Sequence, residues 1–162
     1  MANLTAPFRI SSVGSWYYQQ KYIYNFNTTA GSPLYIHMKT NLIGATTYNM
    51  WMFEAVGYNY GVAAPIRCAW GFHISTAGMP YTNGFLYNIG LRNQYPGMSA
   101  HGVYVASDGY IVLRAYGNGS NYYNGFTLNA YATRSDVTQS NVSIISVIQT
   151  SDSGNYYGGP VQ

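Results

Sequence analysis

Ten short runs rich in Tyr, Val, Ile, Phe and Thr recur along the chain, separated by Gly, Asn, Ser, Asp and Pro. β-Branched and aromatic side chains favour a pleated, half-buried surface, and the punctuating residues favour turns. The runs predict strands over Phe8–Val13, Tyr17–Phe26, Leu34–Thr40, Met50–Tyr58, Ile66–His73, Phe85–Leu91, Val103–Ala106, Tyr110–Ala115, Phe126–Thr133 and Val142–Gln149. No stretch sustains a helical period. Many short strands with Gly-rich turns point to an all-β fold, an antiparallel β-sandwich of jelly-roll type in a single domain. A closed up-and-down barrel is the alternative.

Three segments carry the pattern most clearly. Leu34, Ile36 and Met38 alternate with Tyr35, His37 and Lys39, which predicts one apolar face and one wet face. Ser107-Asp108-Gly109 separates Val103 and Val105 from Ile111 and Leu113. Asp-Gly accepts the positive φ of a tight turn, so this is a hairpin. Ile144-Ile145-Ser146-Val147-Ile148 is almost continuously apolar. It predicts a strand covered on both faces, by the core or by a neighbouring subunit.

Residues 1–162 fit one domain, with N-terminal strands and an arm over 1–33. The tail over 151–162 has little core-forming content and is expected to pack on neighbouring subunits. The start, Met1-Ala2-Asn3-Leu4-Thr5, lacks the basic and apolar regions of a signal peptide. No apolar run reaches the roughly 18 residues that read as a membrane span.

Composition decides which chemistry is expected. Charged residues make up 7% of the chain and aromatic residues 17%, with 19 tyrosines. An ordinary domain carries roughly 25% charged residues. The surface is therefore expected to be Tyr, Asn, Ser, Thr and Gly, which suits carbohydrate recognition or protein contact. The seven Lys and Arg residues are dispersed, so no patch exists to neutralise several phosphates at once. Nucleic acid is not an expected partner, and neither is membrane insertion.

Catalytic groups are scarce. Glycoside hydrolysis uses two facing carboxylates, and the chain has four in all: Glu54, Asp108, Asp136 and Asp152. Asp108 belongs to its turn, and Glu54, mid-strand, reads as one half of an ion pair with an arginine. His37, His73 and His101 stand in no metal-ligand spacing. Cys68 sits in an apolar run and reads as a buried small hydrophobe. No enzyme activity, cofactor or metal is expected.

Binding then falls to loop aromatics. The stretch Tyr116–Gly125 is too long for a tight turn and predicts an exposed loop. Its candidate contact residues are Tyr116, Asn118, Asn121, Tyr122, Tyr123 and Asn124. Rings stack on a sugar or an apolar patch, and carboxamides fix orientation. Tyr156 and Tyr157 are a second pair in a turn-like context.

Five segments together resemble a known family. They are Tyr35–Asn41, Met52–Gly61, Ala64–Trp70, Asp108–Tyr116 and Phe126–Tyr131. In order they are similar to small virion proteins of tailed bacteriophages, especially marine and cyanobacterial ones, described as tail or tail-fibre-like. The resemblance implies a virion β-sandwich and brings no catalytic residue. The expectation is a non-enzymatic structural protein located in the virion. It would be a compact homotrimeric tail-fibre or receptor-binding module. Its partners would be itself, other virion proteins and a glycan or protein on the host surface. Capsid decoration, as a cement or head-knob protein, is the alternative, because the first strand begins so near Met1. A depolymerase tip ranks below both, for want of carboxylates.

Overall fold

The computed structural model describes residues 8–12, 15–28, 34–43, 50–75, 85–119, 122–132, 142–151 and 153–158. Among these described residues ten strands follow in order: β1 (Phe8–Ser12), β2 (Ser15–Thr28), β3 (Tyr35–Ile43), β4 (Met50–Asn59), β5 (Ala64–Ser75), β6 (Phe85–Asn93), β7 (Ser99–Val105), β8 (Tyr110–Tyr116), β9 (Asn124–Ala132) and β10 (Ile144–Thr150). A single 3-10 turn, Tyr60–Val62, links β4 to β5. Each predicted strand is present.

Two antiparallel sheets face each other. The large one runs β1-β2-β9-β4-β5-β6 and the small one β10-β3-β8-β7. The β3–β8 pair nests inside the β2–β9 pair, with the chain crossing between sheets at β2 to β3 and at β8 to β9. That nesting is the jelly-roll feature. The β4–β5 and β5–β6 hairpins widen the large sheet beyond it.

Period-two burial builds the core. β9 alternates buried and half-buried residues along its whole length. Phe126, Leu128 and Ala130 face inward beside Trp51, Phe53 and Ala55 of β4. Ile36, Met38 and Leu42 of β3, with Ile111 and Leu113 of β8, close the core from the small sheet. Burying each such large side chain contributes about 1.5–3 kcal/mol. Trp70 Nε1 donates to the Arg114 carbonyl across the sandwich at 2.9 Å, so this buried indole also ties the two sheets together.

The Asp108-Gly109 turn joins β7 to β8 as predicted. Gly109 has φ +85°, and Ala106 N–H and the Tyr110 carbonyl pair at 2.8 Å. Asp108 also meets Lys39 Nζ at 2.7 Å, which holds its carboxyl below the usual carboxylate range.

The expected wet face of β3 is a correction. His37 is fully buried and Lys39 is largely covered. The cause is the C-terminal segment over 153–158, which lies on the outer face of the chain's own small sheet. Tyr157 Oη and Ser146 Oγ are 2.7 Å apart, and the Tyr156 ring centre is 6.0 Å from that of His37. Lys39 Nζ lies 4.3 Å from the centre of the Tyr157 ring. Arg114 Nη1 donates to the carbonyls of Ser153 and Gly154. β10 ends the small sheet, half-buried along most of its length, with Ile145 exposed.

Candidate binding tip

The end of β4 and the start of β9 lie side by side, with Asn59 paired to Asn124. Both asparagines are fully buried. Asn59 caps the 3-10 turn: its Oδ1 accepts from Gly61 N–H at 3.0 Å, and its Nδ2 donates to the Gly97 carbonyl at 2.8 Å. Such a carboxamide satisfies backbone groups that water would otherwise have to reach. Gly61 N–H donates to the Tyr122 carbonyl at 2.9 Å, and Tyr60 N–H to the Tyr123 carbonyl at 3.4 Å. Two turns distant in sequence are thereby stitched into one tip.

Three tyrosines crown that tip. Tyr60, Tyr122 and Tyr123 are 62%, 43% and 48% exposed. Tyr122 and Tyr123 meet at 4.4 Å between ring centres, Tyr60 and Tyr123 at 5.8 Å, and Tyr60 and Tyr122 at 6.3 Å. Tyr123 adopts φ +47°, a left-handed conformation that a residue with a Cβ reaches only against a steric penalty.

Beside the tip runs a shallow trough of about 490 Å³ on the outer face of the large sheet. Asn25 and Asn27 of β2 border it, with Tyr58 of β4, Tyr123, and Gly125 and Thr127 of β9. Thr127 Oγ1 donates to Asn25 Oδ1 at 3.1 Å. No charged side chain lines it.

The six residues predicted from sequence divide. Tyr122 and Tyr123 stand together at the tip. Tyr116 lies at the end of β8, on the outer face of the small sheet, against Tyr35 and His101. Asn118 Nδ2 donates to the Pro96 carbonyl at 2.8 Å, so it braces the loop. Asn124 is buried beneath the tip, and Asn121 lies outside the described residues. Tyr60, Tyr58, Asn25 and Asn27 were missed. Tyr60 sits in Asn59-Tyr60-Gly61, a turn-type context like that of Tyr122-Tyr123, and this signal was available.

Two other hollows contain ionisable groups. Glu54, Arg67, Arg92 and Gln94 border one of about 390 Å³. Within it Arg67 Nε donates to Glu54 Oε1 at 2.9 Å, and Tyr131 Oη to Oε2 at 3.4 Å. Glu54 is thus half of an ion pair, as its sequence context suggested. His101, Tyr104 and Arg114 border the other, of about 400 Å³, between the edges of the two sheets. Partial burial first, and then the Arg114 charge, push the His101 imidazole below its ordinary value. Among the described residues no three His, Cys, Asp or Glu side chains converge as metal ligands. Asp136 and Asp152 lie outside the described residues.

Comparison with known proteins finds no family model, no curated protein and no solved structure that matches this chain.

Proposed function

We propose that this chain is a non-enzymatic structural protein of a bacteriophage virion, a compact receptor-binding or tail-fibre-like module that acts as a homotrimer. The observation that carries this reading is the Tyr60–Tyr122–Tyr123 tip, three exposed rings fixed on a rigid sandwich. Tyrosine gives a large amphipathic contact with few rotatable bonds, so little entropy is lost on binding. Each tip binds weakly, and repetition in a trimer and over a particle raises the avidity. Exposed Ile145 beside the end of β10 offers a sister subunit an apolar contact. The described carboxylates, Glu54 and Asp108, are each engaged by a cation, which fits a binding role better than acid–base chemistry.

Two measurements test the proposal together. Imaging of the intact particle is expected to place the chain at the tail, and sedimentation to give a trimer. A stable monomer at micromolar concentration, or absence from the particle, overturns it. One observation favours a second reading, that of a capsid decoration protein. Met50 and Met52 are exposed on the outer face of the large sheet, where a shell subunit would cover them. Imaging that places the chain on the head would favour this reading over the first.

A further inference from the structure

Gly125 faces the trough from β9, paired with Asn27 on one side and Tyr58 on the other. Glycine in a strand interior has an ordinary explanation in either a positive φ or a close backbone approach. Neither applies here. Gly125 is not among the positive-φ glycines, and a Cβ added to it would come no nearer than 3.7 Å to its closest neighbour, the Phe26 carbonyl oxygen. Gly57 shows the contrast: a Cβ there would lie 2.0 Å from the Gly125 carbonyl oxygen. The fold requires glycine at 57 and not at 125. Glycine in a paired strand is less favourable than alanine. What Gly125 supplies is the missing side chain itself, an open furrow between Tyr58 and Asn27.

The walls of the furrow specify an occupant. Half-exposed Tyr58 and Tyr123 provide aromatic surface, and exposed Val56 adds a small apolar patch between them and the polar wall. Asn25, Asn27 and Thr127 provide neutral groups that both donate and accept. An apolar segment would cover the Asn27 carboxamide and the Asn25 Nδ2 without giving them partners, and a buried orphan of that kind is costly. A charged ligand would lose water without meeting an opposite charge. A pyranose ring suits both kinds of wall, because its C–H face stacks on tyrosine while its hydroxyls pair with carboxamides in either direction. The volume of about 490 Å³ lies within the range of small-ligand sites. We infer that the furrow between Tyr58, Asn27 and Gly125 binds a neutral saccharide. The inference deepens the receptor-binding reading and rests on it.

The test uses the full chain against a panel of neutral and acidic oligosaccharides, with attachment to bacterial cells measured in parallel. Gly125→Val fills the furrow from a strand position where a Cβ meets only ordinary contact distance, and Tyr58→Ala removes the stacking wall. Wild type is expected to bind a neutral member of the panel. Each variant is expected to weaken that binding at least tenfold, with a thermal midpoint that for Gly125→Val is no lower than wild type. Binding confined to acidic glycans, no binding to any neutral glycan, or neutral binding that survives Gly125→Val overturns the inference. Cell attachment separates the two levels. If wild type attaches through Tyr122 and Tyr123 while furrow-filled protein attaches equally well, the receptor reading stands and the saccharide furrow falls. If wild type binds neither the glycan panel nor the cells, both fall.

Discussion

Tyr60 and Tyr123 meet edge to face, their ring centres 5.8 Å apart and their planes at 87°, and the Tyr60 amide donates to the Tyr123 carbonyl. The contact joins the β4–β5 turn to the loop before β9, so the tip is one surface built by two chain segments. If this tip is the attachment surface, as proposed, Tyr60 belongs to it with Tyr122 and Tyr123. Tyr60→Ala and the pair Tyr122→Ala/Tyr123→Ala are each expected to lower attachment at least tenfold while leaving the circular dichroism spectrum unchanged. No charged side chain lines the trough beside the tip, so attachment there should fall by less than about threefold between low and moderate salt. Steep salt dependence, or full attachment by the folded variants, would show that the site is elsewhere.

Tyr123 holds its place at the tip in a strained backbone conformation, φ +47°. Glycine occupies that region without penalty. Tyr123→Gly is expected to raise stability by about 1 kcal/mol, offset in part by glycine's larger loss of chain entropy, while attachment falls. Urea unfolding beside an attachment assay measures both. A destabilised Tyr123→Gly protein would mean that the ring supports the fold more than it serves contact.

The strands were legible because each carries its own period. Leu34, Ile36 and Met38 declare a core face, and Asp108-Gly109 declares a turn, within a few residues. What covers a strand's other face is decided far away in sequence. His37 and Lys39 read as wet because nothing nearby reveals that Tyr156 and Tyr157 fold back over them. The tip has the same character. Tyr122 and Tyr123 stood out as turn aromatics, but Tyr60 joins them only through the Asn59–Asn124 register. Asn118 and Asn124 were read as ligand contacts because a carboxamide offers the same donor and acceptor to a sugar as to a backbone carbonyl. Burial tells the two uses apart at Asn124, and the bond to the Pro96 carbonyl does so at half-buried Asn118. Glycine carries a similar ambiguity, since Gly57 and Gly125 look alike in sequence and differ in whether a Cβ has room.

Arg114 anchors the C-terminal segment from the outer face of β8. Its Nη1 donates to the Ser153 carbonyl, to the Gly154 carbonyl at 3.0 Å and toward Asn155 Oδ1 at 3.5 Å. Hydrogen bonds from a charged donor contribute about 1.5–3 kcal/mol. Arg114→Gln is expected to loosen the segment over 153–158 by that order, leaving the core intact. Hydrogen exchange at the Tyr157 amide, which donates to Tyr104 Oη at 3.3 Å, should speed up roughly ten- to a hundredfold. Unchanged exchange would assign the anchoring to Tyr157 and Ser107 instead.

Cys68 gives the clearest pH dependence. Burial pushes its thiol up to about 12, opposed in part by a backbone hydrogen bond with Ala100. In the unfolded chain the thiol ionises near its ordinary value of about 8.5. The folded protein therefore keeps a proton that the unfolded chain gives up. This contribution to stability is complete below about pH 8.5 and is lost progressively as pH rises toward about 12. The slope is on the order of 1 kcal/mol per pH unit within that window. The folded protein at pH 8 should resist thiol-specific labelling, and labelling should follow unfolding in denaturant. Cys68→Ala should flatten the alkaline fall in stability relative to wild type, after allowance for the small cavity it leaves. Rapid labelling of the native protein at pH 8 would show that the strand pairing around β5 opens far more readily than its burial implies.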